Sequence, residues 1–247
     1  MQPDLKIDSH VATITLRRPT QANRLDPDDL ATLADHINTI NQNEQVLVLR
    51  LQAEGKYFCS GYDIGQIGGP RELTFEQMVN AFEDARPVTI AVIQGGVYGG
   101  ATDLALACDF RIGSPLVDMF MPAARLGLHF YQRGLERYVS RLGVNTAKKL
   151  FLTAEKIGAD EMFACGFLTH LVDADKLADT ADQLTQTLAG MAPLALLGMK
   201  KHLTRIARGV LDTADLQRDM ASAAQSADLK EGAAAWAEKR AARFTGR

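Results

Sequence analysis

Two units of strand and glycine turn in the first half of the chain constrain its fold most. Residues 45–53 (QVLVLRLQA) and 87–94 (PVTIAVIQ) are short apolar runs, typical of strands that are covered on both faces of a parallel sheet. Each run leads into a turn rich in small residues, at 56–65 and at 95–103. A repeated order of strand, glycine turn and helix predicts a layered α/β core with parallel strands.

The first half of the chain predicts strands alternating with helices, whereas the second half predicts almost only helices. Residues 10–18 alternate as a strand does, and 26–41 begin with an Asp26 cap and Pro27 and carry apolar residues at helical spacing. We expect a short strand at 167–173 and a helical C-terminal region from about residue 190. The helices predicted after Gly134 are 134–142, 145–153, 159–164, 176–191, 194–208, 213–226 and 229–243.

Composition excludes several classes of protein. A chain of 247 residues with 47% hydrophobic residues can bury a substantial core, and its net charge of −3 provides no basic field for nucleic acid or a membrane surface. No apolar run reaches the ~18 residues of a membrane span. The N-terminus carries acidic residues and no apolar stretch, so we expect no signal peptide.

Cysteine and histidine patterns indicate neither disulfides nor a metal. Cys59, Cys108 and Cys165 are odd in number and lack C-x-x-C spacing, which predicts free thiols in a reducing cytoplasm. The five histidines form no H-x-H or H-E-x-x-H pattern, so no metal site is predicted. We therefore expect a cytoplasmic protein.

Both glycine turns expose backbone N–H groups, because glycine has no Cβ to block a ligand. The turns at 59–63 (CSGYD) and 98–102 (YGGAT) could each aim one N–H at the same oxygen, which is the geometry of an oxyanion hole. One such donor stabilises a transition state by about 3 kcal/mol. Tight strand–helix packing would explain the glycines equally well. Neither turn matches a phosphate-binding glycine pattern.

Asp103 is the only charged residue between Arg86 and Asp109. It lies about one turn into the helix that follows the second glycine turn, among residues of apolar character. It either stabilises the helix N-terminus, by about 0.5 kcal/mol, or acts as a general base beside the oxyanion hole.

These motifs resemble those of the enoyl-CoA hydratase/isomerase family, the crotonase superfamily. The sequences FCSGYDI (58–64) and GGVYGGATDLALACD (95–109) carry the resemblance. It extends over nearly the whole chain through segments 11–37, 147–173 and 231–247. The resemblance implies a crotonase-like spiral of ββα units with a helical C-terminal trimerisation region.

The resemblance also implies an organisation and a substrate. Residues 1–190 would form the α/β core that binds acyl-CoA, and 191–247 would mediate assembly into a homotrimer or a dimer of trimers. The substrate would be an acyl-CoA thioester, with coenzyme A as part of the substrate, no separate cofactor and no metal. The N–H groups of Tyr62 and Gly100 would polarise the thioester carbonyl and stabilise an enolate. The implied substrate-binding residues are Arg24, Lys56, Ser60, Gly61, Asp63, Ile64, Gly99, Arg125, Trp236 and Lys239.

The chain departs from the family pattern at its second acidic position. Asp103 falls where hydratases carry the first of two catalytic glutamates, but Pro122 is followed by Ala123, where the family reads P-E. Alanine transfers no proton, so the usual paired-carboxylate addition of water is not expected. His129 or Tyr131 could assist Asp103 instead.

The compensating groups have alternative, purely structural roles. His129 has a side chain of the type most often used in acid–base catalysis, but it could be a surface histidine. Tyr131 could simply pack, and Arg125 could form an ion pair or hold a substrate carboxylate. The Tyr62 side chain is a further candidate.

Three functional hypotheses remain open from the sequence. The first is an acyl-CoA lyase or isomerase of the enoyl-CoA hydratase type. The second is a CoA-thioester decarboxylase or C–C hydrolase of the same superfamily, since the turn VYGGA (97–101) resembles the methylmalonyl-CoA decarboxylase branch. The third is a catalytically impaired acyl-CoA binding protein. The acyl group would be selected by a pocket formed by residues 64–85.

Overall fold

A six-stranded sheet forms the centre of the computed structural model, which describes residues 1–66 and 73–247. The strands, in chain order, are β1 (Asp4–Asp8), β2 (Val11–Leu16), β3 (Val48–Ala53), β4 (Val88–Ile93), β5 (Val97–Tyr98), β6 (Phe110–Gly113), β7 (Asp118–Phe120), β8 (Ile157–Gly158) and β9 (His170–Leu171). The main sheet has the order β1-β2-β3-β4-β6-β9, and within it β1 pairs antiparallel with β2 while the remaining pairs are parallel. A three-stranded sheet, β5-β7-β8, lies at the end of β4.

Helices cover the main sheet and make up most of the C-terminal part of the chain. They are α1 (Pro27–Gln42), α2 (Phe75–Glu83), α3 (Gly100–Ala107), α4 (Gln132–Thr153), α5 (Ala159–Ala164), α6 (Leu177–Ala189), α7 (Pro193–Ala207), α8 (Thr213–Gln225) and α9 (Ala227–Glu238). Capping boxes fix where two of them begin, with Asp26 before α1 and Thr74 before α2. Each capping side chain accepts a hydrogen bond from the backbone N–H of the third residue of its helix. None of the helices in the described part of the chain is both long and apolar enough to traverse a lipid bilayer.

The core lies on both faces of the parallel strands. On one face α1, α2 and α3 pack in a large apolar cluster that includes Leu33, Phe82 and Leu104. On the other face Leu177 and Ala181 of α6 pack in a smaller cluster with apolar residues of β4 and β6. Coverage of both faces explains why β4 is buried at every position and apolar at all but Thr89.

The predicted strands and α1 are confirmed, as is the break within α4. Gly143 has φ +78° and interrupts α4 between the two helices expected at 134–142 and 145–153. Two predictions were wrong in extent. The strand expected at 167–173 pairs only at His170–Leu171. The last helix ends at Glu238 rather than at 243, because Lys239 turns into the left-handed region. Strand β1 is not among the predicted strands, although its sequence DLKID alternates polar and apolar residues; it is a short, mostly exposed strand at the edge of the sheet.

Candidate active site

The two glycine turns meet at the carboxyl ends of the parallel strands. Leu25 donates its N–H to Gly61 O at 2.9 Å and accepts from Asp63 N at 2.9 Å, which fixes the first turn. Gly61 has φ +97°, and a Cβ there would lie 2.7 Å from Tyr98 O and 3.2 Å from Gly100 N. Glycine at 61 is therefore required both by the backbone and by the approach of the second turn.

Backbone geometry orients the two predicted donors. Leu25 and Tyr62 form a parallel bridge, in which the N–H of Tyr62 faces away from Leu25. Gly100 is the first residue of α3, so its N–H has no acceptor inside that helix. Gly99 precedes it with φ +55°. That these two N–H groups bind the same oxygen stays a prediction.

Asp103 is fully buried in the first turn of α3 and is held by two side chains, one from the residue that precedes α4 and one from within α4. Arg137 of α4 places Nη1 2.6 Å from Asp103 Oδ2, and Tyr131 donates its hydroxyl to the same oxygen. The other oxygen, Oδ1, is buried and has no hydrogen-bond partner among the described residues. Asp103 therefore combines one oxygen that receives two hydrogen bonds with one buried oxygen that receives none from the described residues.

Arg137 is a central residue of the site that the sequence reasoning missed. Its side chain is fully buried and also donates to Glu83, with Nε 2.9 Å from Oε1, and to Asn80 at 3.0 Å. Burial opposes its positive charge, but Asp103 and Glu83 outweigh burial and raise the pKa of Arg137. The spacing of Gly134, Arg137 and Leu142 on the buried face of α4 could have identified it as an inward-facing charge.

Tyr131 keeps its proton under ordinary conditions. Burial, followed by the charge and hydrogen bond of Asp103, raises the pKa of its phenol well above the usual value. Its ring stacks on Phe130, with centroids 4.3 Å apart, and lies 6.5 Å from the ring of Phe75. Phe75 in turn lies 5.6 Å from the ring of Tyr62. The phenol is thus a neutral hydrogen-bond donor to Asp103 that lies among aromatic side chains.

Of the three groups predicted to compensate for Ala123, Tyr131 is the one that contacts Asp103. Ala123 is buried in a 3₁₀ turn, Ala123–Leu126. His129 is exposed and its Nδ1 lies 2.8 Å from the carbonyl oxygen of Phe130. Arg125 is exposed and donates to Thr153 O at 3.3 Å.

The remaining predicted substrate-binding residues divide into two groups. Near the turns, Arg24 lies 3.6 Å from Asp63, Ser60 donates its N–H to Ala22 O, and Ile64 is 59% exposed. Lys56 lies over the ring of Tyr57, 5.4 Å from its centroid.

The second group lies on the C-terminal helices. Trp236 is 88% exposed on α9, and Lys239 follows the end of that helix. Their predicted role in substrate binding stays a prediction. Within the predicted acyl pocket at 64–85, residues 67–72 lie outside the described part of the chain.

One cluster outside this site carries side chains of the kind that bind metals. His202, Asp215 and Asp219 place ligand atoms within 4.8 Å of one another. Lys201 lies 2.8 Å from Asp215 and 2.7 Å from Asp219, and Arg205 also contacts Asp215. The chain's own cations therefore engage these carboxylates, in an ion-pair network that joins α7 to α8.

Comparison with known proteins decides the family. A model of the family "Enoyl-CoA hydratase/isomerase" matches residues 6–247. The chain belongs to the enoyl-CoA hydratase/isomerase family. Its fold is that of the crotonase superfamily: the enoyl-CoA hydratase structure from Bacillus anthracis superposes with a TM-score of 0.88 at 27% identity, over 100% of both chains.

Relatives of this family member differ in the reaction that their names describe. (E)-benzylidenesuccinyl-CoA hydratase of Thauera aromatica is 28% identical over 100% of both chains. The 1,2-epoxyphenylacetyl-CoA isomerase of Escherichia coli is 28% identical, over 97% of this chain and 96% of its own. Methylmalonyl-CoA decarboxylase of Escherichia coli is 26% identical, over 96% and 95%. Similarity over the whole chain thus covers hydratases, isomerases and a decarboxylase.

In this family member, replacing Glu83 with Gln is expected to make the free energy of unfolding change less as the pH falls below about 4.5. Burial alone would raise the pKa of Glu83, but hydrogen bonds and charge from Arg137, with further help from Arg133, lower it from 4.5 to about 2. Because the folded pKa is depressed, the stabilisation is complete above pH 4.5 and is lost as the pH falls towards 2. A shift of this size corresponds to about 3 kcal/mol.

The measurement is urea unfolding of both proteins at fixed protein concentration between pH 7 and pH 3. The difference in free energy of unfolding between wild type and Glu83→Gln should shrink as the pH falls. Glu155→Gln is the control, since Glu155 is exposed and its ion pair with Lys149 spans 3.5 Å. If the difference in free energy of unfolding between wild type and Glu83→Gln stays constant from pH 7 to pH 3, the pKa of Glu83 is not lowered in the folded protein.

Proposed function

We propose that this chain is an acyl-CoA lyase or isomerase of the enoyl-CoA hydratase type, which stabilises a thioester enolate in an oxyanion hole. The observation that carries the proposal is the meeting of the two glycine turns beside the buried pair of Asp103 and Tyr131. The N–H groups of Tyr62 and Gly100 would bind the thioester oxygen. Membership of a family whose members include hydratases and isomerases supports the substrate class.

A single carboxylate can serve water addition if Tyr131 shares the proton transfer. The unpartnered Oδ1 of Asp103 would accept a hydrogen bond from the water, whose hydroxyl forms a bond to the β-carbon. Tyr131 would give its proton to the α-carbon of the enolate. Asp103 would take the proton lost by the water on Oδ1, while Tyr131 stays on Oδ2. After product release, solvent would remove the proton from Asp103 and return one to Tyr131, so the site returns to its starting state.

Decarboxylation is the second candidate, and the pairing of Asp103 with Arg137 favours it. Ala123 provides no second acid, so a reaction that needs no carboxylate base suits this site. In a malonyl-type thioester the bond to the carboxylate breaks, carbon dioxide leaves, and the electron pair enters the enolate held in the oxyanion hole. Tyr131 would then protonate the α-carbon.

We also propose assembly into a homotrimer or a dimer of trimers through residues 191–247. Large apolar side chains are exposed there, and burying them between subunits would stabilise such an assembly. They include Met199, Leu203, Ile206, Met220, Leu229 and Trp236. Free thiols at all three cysteines support a cytoplasmic location.

The test is separate incubation with crotonyl-CoA and methylmalonyl-CoA, followed by mass spectrometry of the products. The proposal expects crotonyl-CoA to gain one water. Loss of carbon dioxide from methylmalonyl-CoA without hydration would support the second candidate instead. Tight binding of both esters in calorimetry without any product would indicate an impaired binding protein. Failure to bind any CoA ester would contradict every one of these functions.

A matched pair of glycine variants separates the site from general backbone strain. Gly61→Ala introduces a Cβ against Tyr98 O and Gly100 N and should abolish turnover. Gly209 follows the end of α7 and has a similar positive φ of +68°, but a Cβ there would meet no atom of the described residues within 4 Å. Gly209→Ala should therefore leave turnover intact.

A further inference from the structure

A chain of hydrogen bonds ends on the carbonyl oxygen that precedes Gly100. Gly99 O accepts from Thr102 N at 3.0 Å and from Thr102 Oγ1 at 2.6 Å. The hydroxyl of Tyr138 contacts the same Oγ1. Thr102 has one hydroxyl proton, and the carbonyl of Gly99 can only accept. Tyr138 is therefore the donor to Thr102, and the direction of the chain is fixed.

The hydrogen bonds from Tyr138 to Thr102 and from Thr102 to Gly99 are shielded from water. Thr102 and Tyr138 are fully buried, and the ring of Tyr138 packs against those of Phe151 and Phe130, with centroids 4.6 and 6.3 Å away. Burial raises the pKa of the Tyr138 phenol, which keeps its proton for donation. In such surroundings consecutive hydrogen bonds polarise one another.

The peptide that receives these hydrogen bonds also carries the N–H of Gly100. A trans peptide is planar, so this N–H points opposite to the Gly99 carbonyl and away from Thr102. Gly99 has φ +55° and ψ −130°, in a region where glycine moves freely. Donors on the carbonyl hold the peptide plane and draw electron density from the N–H, which makes it a stronger donor.

We propose that Thr102 and Tyr138 are positioning residues that orient and polarise the Gly100 N–H of the oxyanion hole. The inference rests on the proposed function, in which this N–H binds a thioester oxygen. It predicts that loss of the Thr102 hydroxyl weakens the polarisation of a bound thioester. A hydroxyl that only stabilised the first turn of α3 would affect unfolding and leave the thioester unchanged.

The experiment is infrared difference spectroscopy of butyryl-CoA, labelled with ¹³C at the thioester carbonyl, bound to wild type and to variants. In wild type the carbonyl stretch should shift to lower frequency than in free butyryl-CoA. Thr102→Val should lose much of this shift, and Thr102→Ser, which restores the hydroxyl, should recover it. In the reaction that the enzyme catalyses, Thr102→Val should lower kcat about tenfold with KM within about twofold, because removing a whole donor costs on the order of 10²–10³.

Two further variants guard against a folding defect. Thr102→Val leaves the Tyr138 hydroxyl buried without its acceptor, whereas Thr102→Val combined with Tyr138→Phe removes both polar groups. Tyr138→Phe alone keeps the ring and the Thr102 hydroxyl, and should give an intermediate shift. If wild type shows no carbonyl shift, the proposed oxyanion hole is wrong. If wild type shows the shift and the folded variants keep it in full, the oxyanion hole stands and this inference is overturned.

Discussion

Replacing Arg137 with Met is expected to lower the free energy of unfolding by about 3–5 kcal/mol, the usual cost of leaving a buried charge without its partner. Arg137 bonds to Asp103 at 2.6 Å and to Glu83 at 2.9 Å, and its side chain has no exposed surface. Met fills a similar volume but provides no hydrogen bond. Asp103 would keep only its hydrogen bond from Tyr131. Urea unfolding at neutral pH and fixed protein concentration measures the loss.

Arg133→Met is the matched control. Arg133 lies 2.6 Å from Glu83 and 2.8 Å from Asp84, but 17% of its side chain is exposed, so water can replace part of what is lost. We expect a cost of about 1 kcal/mol for this change. Equal costs for Arg137→Met and Arg133→Met would show that burial of the ion pair is not the source of the effect.

A second substitution tests which carboxylate causes the loss. In the Arg137→Met background, Asp103→Asn removes the buried negative charge and should restore part of the stability. In the wild-type background the same Asp103→Asn should destabilise, since it leaves Arg137 without one of its two carboxylates. Destabilisation of the same size in both backgrounds would mean that Asp103 and Arg137 do not interact energetically.

The sequence predicted the turns and the parallel strands because their causes are local. Gly61 and Gly99 both have positive φ, and a strand that ends in such a turn can be recognised within ten residues. The start of α1 follows equally from the Asp26 cap and Pro27. Asp103 was identified for the same reason, as a lone charge in an apolar stretch.

Arg137 could not be assigned its partners from the sequence, because these interactions join distant segments. It lies 34 positions after Asp103 and 54 after Glu83, and only the packing of α2, α3 and α4 brings the three together. The order of Tyr138, Thr102 and Gly99 likewise depends on packing between α3 and α4. Local patterns predicted which residues are buried, whereas the pairing of their polar groups required the fold.

Replacing Tyr131 with Phe is expected to lower kcat by about 10²–10³ with little change in KM, because a positioned proton donor acts chiefly in the transition state. Phe keeps the ring that stacks on Phe130, and Asp103 keeps its bond to Arg137. Steady-state kinetics on the acyl-CoA that the wild type converts measures the effect. The rate of deuterium uptake at the α-carbon in heavy water, which reports protonation of the enolate, should fall by the same factor as kcat.

His129→Gln distinguishes this role from that of the other candidate near Ala123. His129 is exposed and contacts the carbonyl of Phe130 rather than Asp103, so its loss should change kcat less than about threefold if it lies outside the proton-transfer path. If His129→Gln lowers kcat strongly and Tyr131→Phe does not, His129 rather than Tyr131 is the proton donor. Because both reactions proposed for this site end with protonation of the same α-carbon, the comparison tests Tyr131 whether water addition or decarboxylation proves to be the reaction.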